Sequence, residues 1–599
     1  MPKRRESEKL TARYMKEIRD ADKANLTVRE YVREGLVAGS AGLITLAGMR
    51  HFRPFYAHAS HDGSTGATVQ PNSPPNTPFQ DPLPILPTLA VKTLNPAPTK
   101  AANTAAGEAP RADHQKWEQF LPQKTYEIEQ VAVSEQFYPA VDGVPPSTTW
   151  RFRDTVNNNV SPIIRARYGE PIVVRNWNRL PADNGGFGIN QTTTHLHNGH
   201  TASESDGSPV DFYDSGEFKD FHYPNVRAGF ASTHAPLGDL RETMSFLWFH
   251  DHRFDFTAAN VYKGLASMYL LFSDDQNQDT GNETTGFRLP SGDYDIPMIF
   301  ADKVFDPTTG QLFFDRFNTD GILGDKYTVN GKIQPFLNVY KRKYRFRLLD
   351  GGPSRFYQFQ LSNGQSFIQL SNDGNLFPAP ITVQRVTLGV AERVDVIVDF
   401  TNAAVGSRVY LQNVLRQTNG KGPDCIPGNG TGSCATTPTD IVEFRVIGNP
   451  PQPDQSVVPT SMIALPVLPA SSTTRSFEFD QRFDGPWVIN GELFDPDVIS
   501  FTIRQNATET WNLTGGQFRD WSHPVHIHFE EFQIQKRNGS SSNVPATERA
   551  RKDIAAIGSA FSNVQLKMQF RDFLGHYPMH CHNTVHEDHA MMLRWEIIP

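Results

Sequence analysis

The sequence predicts an all-β protein built from three β-sandwich domains. Short segments that alternate apolar and polar residues recur along the chain, and 44 glycines and 44 prolines supply turns between them. Long amphipathic helical patterns are scarce beyond the N-terminus. At 599 residues the chain is also too long for one hydrophobic core, since single cores stop growing at about 250–300 residues.

The first 59 residues are predicted to be an export signal. A basic, charged beginning is followed by an uncharged run of small and apolar residues from Gly35 to Met49, which is too short for a stable membrane anchor. The segment "YAHAS" suits cleavage after Ala59, and "TVREYVREGL" resembles a twin-arginine signal, although Val28 replaces its first arginine. We therefore expect a periplasmic or extracellular protein. The alternative is an N-terminal helix that stays on the chain.

Changes in composition divide the rest of the chain. Residues 60–121 are predicted to be a Pro- and Ala-rich arm or linker, which includes "PNSPPNTPFQDPLPILPTL". Strand-like runs such as "TYEIEQVAV" then mark a first domain, predicted at 122–276. A second domain is predicted at 288–449, and a third at 470–599, after the proline-rich break "NPPQPDQSVVP".

Charge and cysteine content restrict the partners. The net charge of −8, without a cluster of Lys and Arg in the main body, argues against nucleic-acid binding and favours a small-molecule partner. Of the three cysteines, Cys425 and Cys434 flank a flexible loop and can form a disulfide in an oxidising compartment. Cys581 is then left without a cysteine partner, which calls for another explanation.

The histidines are concentrated in four clusters. These are "THLHNGH", "FHDHRF", "SHPVHIHFE" and "MHCHNTVHEDHAMM", and each contains an H-x-H pair. Because residues two apart in a strand point to the same face, each pair can direct two imidazoles at one centre. A single H-x-H pair commonly lies on a solvated strand face, but this does not explain four such pairs. No histidine lies between His252 and His523, so the predicted middle domain supplies no such ligand.

Ligand softness indicates copper. Two histidines and a cysteine with a weak axial methionine describe a blue-copper site, and His523, Cys581, His586 and Met591 supply this set. The eight imidazoles of the H-x-H pairs are too many for one ion and can hold about three. Zinc is the weaker interpretation, because structural zinc sites close with four ligands and favour several cysteines. Within "HCH", alternation turns Cys581 away from the flanking histidines, which are expected to face the second site.

The four clusters, in this order, resemble those of the multicopper oxidases, a family built of three cupredoxin domains. "DPLPILPTL", "HDH" and "HEDHAM" are most similar to the branch of bacterial spore-coat laccases and bilirubin oxidase. The resemblance implies four coppers per chain. It places the type 1 ion on His523, Cys581, His586 and Met591, and the type 2 ion on His195 and His526. It implies six ligands for the type 3 pair: His197, His250, His252, His528, His580 and His582. The first motif departs from the family by having Asn198 before its glycine.

The resemblance also implies a function. We expect a laccase-like enzyme that oxidises phenolic, aromatic or bilirubin-like donors by one electron and reduces dioxygen to water. Electrons are expected to pass through Cys581, and Asp206 and Glu587 are expected to handle protons, although both can instead orient histidines. The protein is expected to be a monomer.

Two alternative functions are also compatible with the sequence. A metallo-oxidase acting on Cu(I) or Mn(II) is disfavoured by the low content of 11 methionines, which form no dense run before the last motif. A non-catalytic periplasmic copper-binding protein is disfavoured, because such a protein does not need the connection through Cys581 between the two predicted sites, and that connection is complete in this sequence.

Overall fold

The computed structural model describes residues 72–316, 318–425, 437–482, 486–516 and 521–599. The predicted export signal at 1–59, the beginning of the arm and Cys434 lie outside these ranges. Cys425 is disulfide-bonded, whereas Cys581 is free and buried.

Helices are short within the described ranges. The two α-helices are α1 (Thr257–Lys263) and α2 (Thr584–Asp588). Short 3-10 turns occur at Thr104–Ala106, Ala140–Asp142, Ser203–Ser205, Leu240–Glu242, Gly292–Tyr294, Ser541–Asn543 and Ala546–Glu548. A bilayer-spanning helix, with the necessary length and apolar character, is not found in the described part of the chain.

The first group of strands packs as two four-stranded sheets. Its strands are β1 Lys124–Glu135, β2 Ser147–Asp154, β3 Ile164–Arg167, β4 Ile172–Asn178, β5 Thr194–His197, β6 Phe218–Tyr223, β7 Phe246–Asp251 and β8 Ala266–Phe272. The sheet orders are β2-β1-β4-β6 and β3-β8-β7-β5. In β1 the sequence TYEIEQ alternates, so that Tyr126 and Ile128 enter the core while Glu127 and Glu129 stay partly exposed.

The middle group forms a sheet of eight strands and one of five. Its strands are β9 Asp295–Phe305, β10 Leu312–Phe313, β11 Lys326–Val329, β12 Lys332–Ile333, β13 Phe336–Tyr340, β14 Lys343–Asp350, β15 Tyr357–Leu361, β16 Phe367–Asn372, β17 Asn375–Val383, β18 Val386–Leu388, β19 Arg393–Asp399, β20 Arg408–Asn413 and β21 Thr439–Gly448. The larger sheet has the order β12-β11-β9-β14-β19-β16-β17, with β10 on β9, and the smaller has the order β13-β21-β20-β15-β18.

The last group forms sheets of six and five strands. Its strands are β22 Thr473–Gln481, β23 Trp487–Ile489, β24 Phe501–Arg504, β25 Thr508–Gly515, β26 Ser522–Ile527, β27 Phe532–Arg537, β28 Arg551–Lys552, β29 Ile554–Gly558, β30 Val564–Gln569, β31 Gly575–Cys581 and β32 Met592–Ile598. The orders are β23-β22-β25-β30-β27-β28 and β24-β32-β31-β26-β29. Each of the three groups encloses its own buried apolar cluster, as expected of sandwiches.

Two leucines anchor the arm to the middle and first groups. The backbone N–H of Leu83 donates to Phe336 of the middle group, and that of Leu89 donates to Ile163 of the first group. The side chains of Leu83 and Leu89 are buried in the corresponding cores. The predicted arm therefore contributes to two cores, because isolated leucines between prolines suffice to anchor an extended chain.

Candidate metal centre

Two pairs of neighbouring strands carry most of the predicted ligands. In the first group β5 pairs with β7, so that His195 lies opposite His250. In the last group β26 pairs with β31, so that His526 lies opposite His580. The antiparallel register thus places histidines of different motifs on adjacent strands, close enough for their side chains to interact.

The eight histidines of the H-x-H pairs form one buried cluster where the first and last groups meet. The Nε2 atoms of His195 and His526 are 3.3 Å apart. The Nε2 atom of His580 lies 3.1 Å from that of His252 and 3.2 Å from that of His528. The other three members are His197, His250 and His582, whose rings lie within 5.7 Å of one another between centroids.

Several of these imidazoles have one nitrogen held and the other turned inward. Nδ1 of His250 contacts the carbonyl of Asp251, while its Nε2 has no hydrogen-bond partner among the described residues. His197 Nδ1 and both ring nitrogens of His582 are buried and likewise unpartnered within the described ranges. Buried polar atoms of this kind need a partner, and a metal ion would supply one.

Burial also keeps these imidazoles in the form that binds metals. It lowers the pKa of His250 to about 3 and the pKa of His195 and His526 well below the usual range. The neutral ring has a free lone pair, so the cluster is preorganised for cations.

A second set lies around Cys581. Its Sγ atom is 3.5 Å from Nδ1 of His523 and 3.6 Å from Nδ1 of His586, and these two nitrogens are 3.2 Å apart. Met591 is fully buried in the same core and its carbonyl accepts the backbone N–H of Cys581. Burial raises the pKa of the Cys581 thiol, so a bound cation is needed to stabilise the thiolate.

The two predicted carboxylates contact histidines of the cluster. Asp206 Oδ2 lies 2.7 Å from Nδ1 of His528, and its carbonyl contacts Nδ1 of His195. Burial raises the pKa of Asp206. Glu587 lies 3.1 Å from Nδ1 of His580 and 3.4 Å from Nδ1 of His252. Burial alone would raise the pKa of Glu587, but the two imidazoles outweigh it and lower the pKa.

Three residues of the site were not predicted from the sequence. Asp553 contacts the cluster and is paired with Arg393 of the middle group. Trp487 stacks on His586. None of the three belongs to a histidine motif, and no spacing pattern singles them out.

Asn198, which departs from the family motif, adopts a left-handed backbone conformation with φ of 70°. Glycine and asparagine tolerate this conformation better than other residues, so the substitution preserves the turn. Its side-chain amide also donates to the carbonyl of Asp373 in the middle group.

The donor chemistry fits copper better than other metals. Within the described residues, groups of donor atoms able to share one ion include His252–His528–His580, His195–His526–His528 and His523–Cys581–His586. Imidazole-rich sets suit copper, and two histidines with one cysteine and a nearby methionine are typical of blue-copper sites.

Comparison with known proteins agrees with this geometry. The family profile described as "Multicopper oxidase" matches residues 465–599. A bilirubin oxidase from Albifimbria verrucaria is 31% identical over 489 residues, which cover 78% of this chain and 75% of the relative. The chain belongs to the multicopper oxidase family. A laccase from Bacillus subtilis (strain 168) is 27% identical over 534 residues, covering 79% of this chain and 94% of the relative.

Solved structures agree on the fold of this multicopper oxidase. A laccase from Pediococcus acidilactici Pa5930 superimposes with a TM-score of 0.66 at 22% identity, covering 89% of this chain and 96% of that one. The predicted all-β fold of three cupredoxin-like domains is confirmed, whereas the boundaries 122–276, 288–449 and 470–599 stay predictions. Membership of the family makes the protein a copper-dependent oxidoreductase that uses small-molecule substrates and dioxygen.

Proposed function

We propose that the protein is a laccase-like oxidase that takes single electrons from phenolic, aromatic or bilirubin-like donors and reduces dioxygen to water. One observation carries this proposal: Cys581 contacts His523 and His586, while its neighbours His580 and His582 lie in the eight-histidine cluster. The two sets are thus joined through adjacent residues of one strand end. The bilirubin oxidase and laccase among the relatives support the choice of donors.

Two sets of residues would hold about four copper ions per chain. His523, Cys581, His586 and Met591 would hold the type 1 ion, and His195 and His526 would hold the type 2 ion. We assign the type 3 pair to two trios, of which one is His252, His528 and His580 and the other is His197, His250 and His582. When bound, copper at these sites accepts single electrons and delivers four of them to dioxygen.

The donor is proposed to bind beside α2, near His586. Nε2 of His586 contacts the carbonyl of Asp320 in the middle group. Asn318, which lies two residues before Asp320, lines a cavity. Val585, directly before His586, lines the same cavity. Three aromatic rings, those of Phe187, Phe256 and Phe314, also line it and can stack on an aromatic donor.

The chain's own carboxylates are proposed to manage protons. Reduction of dioxygen to two waters consumes four protons, and Asp206 and Glu587 lie beside the imidazoles of the cluster. Each can hold the N–H of a histidine and store a proton at its carboxylate oxygen. Asp206 makes no described contact with the set around Cys581, whereas Glu587 directly follows the proposed ligand His586 and acts electrostatically on Cys581.

A metallo-oxidase remains the second candidate because of the cavity's polar lining. Asp255, Asp315 and Asp588 line it, and carboxylate oxygens suit Mn(II) better than Cu(I). Oxidation of Mn(II) in preference to phenols would favour this alternative. Export and a monomeric state are likewise proposals.

Copper loading tests the proposed function. The loaded protein is expected to show intense thiolate-to-copper absorption near the red end of the visible spectrum, about four coppers per chain, and oxygen uptake with a phenolic dye. Cys581→Ser should lose the colour and the turnover together. Met579→Leu, a volume-conserving change of a buried residue on the same strand, should retain both. Colour or turnover in Cys581→Ser would contradict the assignment, and copper binding without oxygen uptake would favour a binding protein.

A further inference from the structure

We infer that Arg393, which comes from the middle group of strands, positions ligands of the eight-histidine cluster through Asp553. This inference rests on the proposed function, because it concerns how the eight-histidine cluster holds copper. It assigns a role at the cluster to a part of the chain that supplies no ligand.

Asp553 contacts two proposed ligands with different atoms. Its carboxylate Oδ1 lies 3.3 Å from Nε2 of His197, and its backbone carbonyl lies 3.0 Å from Nδ1 of His526. An acceptor on His197 Nε2 keeps the proton on that nitrogen, which leaves the lone pair on Nδ1. His197 Nδ1 is the buried atom without a partner among the described residues, so it is the atom available to a metal.

Arg393 fixes the orientation of this carboxylate. Its two terminal nitrogens donate to both oxygens of Asp553, at 2.8 Å and 2.7 Å. The pair is fully buried, with Arg393 at 0% and Asp553 at 1% relative exposure. A bidentate pair of this kind restrains the carboxylate more strongly than a single bond does, because the planar guanidinium matches both oxygens.

The pair lies at a junction of all three groups of strands. Arg393 and Asn198 both donate to the carbonyl of Asp373, at 3.0 Å and 2.8 Å, and the carboxylate of Asp373 pairs with Lys552 at 2.8 Å. Asn198 belongs to the first group, Asp373 to the middle group and Lys552 to the last. The middle group therefore braces the cluster at the place where the other two meet.

The test compares two buried arginines of the middle group. Arg393→Lys keeps the positive charge but cannot donate two parallel hydrogen bonds to the carboxylate. Arg347→Lys is the control, because it makes the same change in a buried bidentate pair with Asp295 that contacts no proposed ligand. Each copper-loaded variant is dialysed against a chelator. Copper per chain, the visible thiolate absorption and the type 2 paramagnetic resonance signal are then measured.

Arg393→Lys is expected to hold cluster copper about 10–100-fold more weakly than wild type, as is usual when a residue that orients a metal-ligating histidine is changed. The visible absorption should remain, and Arg347→Lys should match wild type in all three measurements. Asp553→Asn, which keeps the volume of the side chain, should also lose cluster copper while retaining the visible absorption. This variant provides the test if Arg393→Lys does not fold.

Two results would overturn the inference. One is retention of cluster copper at the wild-type level in Arg393→Lys or Asp553→Asn, and the other is an equal loss in Arg347→Lys. If wild type itself binds no copper, the proposed function fails and this inference fails with it. If wild type binds its full copper and Arg393→Lys holds cluster copper as tightly as wild type, the inference is contradicted while the proposed function stands.

Discussion

Trp487 lies nearly parallel to the imidazole of His586, with ring centroids 3.8 Å apart and an angle of 27° between the planes. Its indole N–H donates to the carbonyl of Thr319 at 2.7 Å. The tryptophan comes from the last group of strands and Thr319 from the middle group. One side chain therefore restrains a proposed type 1 ligand and also joins it to a neighbouring group.

Trp487→Phe should destabilise the protein by about 1 kcal/mol through loss of the indole hydrogen bond, besides any cost of repacking. The thiolate absorption should also shift, because His586 loses part of its stacking partner. Trp595→Phe is the matched control, since its buried indole N–H has no partner among the described residues. Urea unfolding and visible spectra measure both effects. Equal results for the two variants would contradict a special role of Trp487.

Asp206→Asn should lower turnover by about 10–100-fold while leaving the thiolate absorption unchanged, because Asp206 contacts His528 rather than the set around Cys581. Glu204→Gln is the control, since this buried carboxylate bonds to Gln115 instead of a cluster histidine. Steady-state oxygen uptake, normalised to bound copper, gives the comparison. Unchanged turnover in Asp206→Asn would exclude it from proton handling.

The stability contributed by the buried His200–Asp572 pair should depend on pH. The two side chains are 2.8 Å apart. Burial alone would lower the pKa of His200, but the hydrogen bond to Asp572 raises it above 6.5. For Asp572, burial favours a higher pKa, yet its bond to His200 outweighs that and lowers the pKa below 3.8.

The sign of each contribution follows from these directions. The histidine's contribution is complete below its unfolded pKa of about 6.5 and is lost as pH rises through its higher folded pKa. The aspartate's contribution is complete above its unfolded pKa of about 3.9 and is lost as pH falls through its lower folded pKa. The pair is therefore strongest between about pH 4 and 6.5.

His200→Phe keeps the stacking on Phe529 and should cost about 2 kcal/mol at pH 5.5, with a smaller cost at pH 9. Unfolding free energies at the two pH values decide the matter. An equal cost of His200→Phe at both would contradict a charged pair.

Periodicity explains why much of the fold and site was predictable. The alternation in β1 predicts a half-buried strand, and the two-residue spacing of His195 and His197 predicts imidazoles on one face of β5. The predicted ligands converge because these spacings are local properties of strands. The buried positions of Leu83 and Leu89 were missed, because an extended segment has no period that identifies its anchors.

Contacts between distant segments explain the remaining failures. Arg393 and Asp553 are 160 residues apart in sequence, and neither lies in a motif. Their pairing depends on how β19 packs against the segment that joins β28 and β29. Likewise, the stacking of Trp487 on His586 depends on packing within the last group. A single sequence carries no local pattern for such contacts.

The stoichiometry of dioxygen consumption tests the central claim most directly. Copper-loaded protein, supplied with a phenolic donor, should consume one dioxygen for every four phenoxyl radicals and release no hydrogen peroxide. This ratio requires that the set around Cys581 and the eight-histidine cluster work together. Accumulation of hydrogen peroxide, with two radicals per dioxygen, would contradict the account, and so would fully copper-loaded protein that consumes no dioxygen.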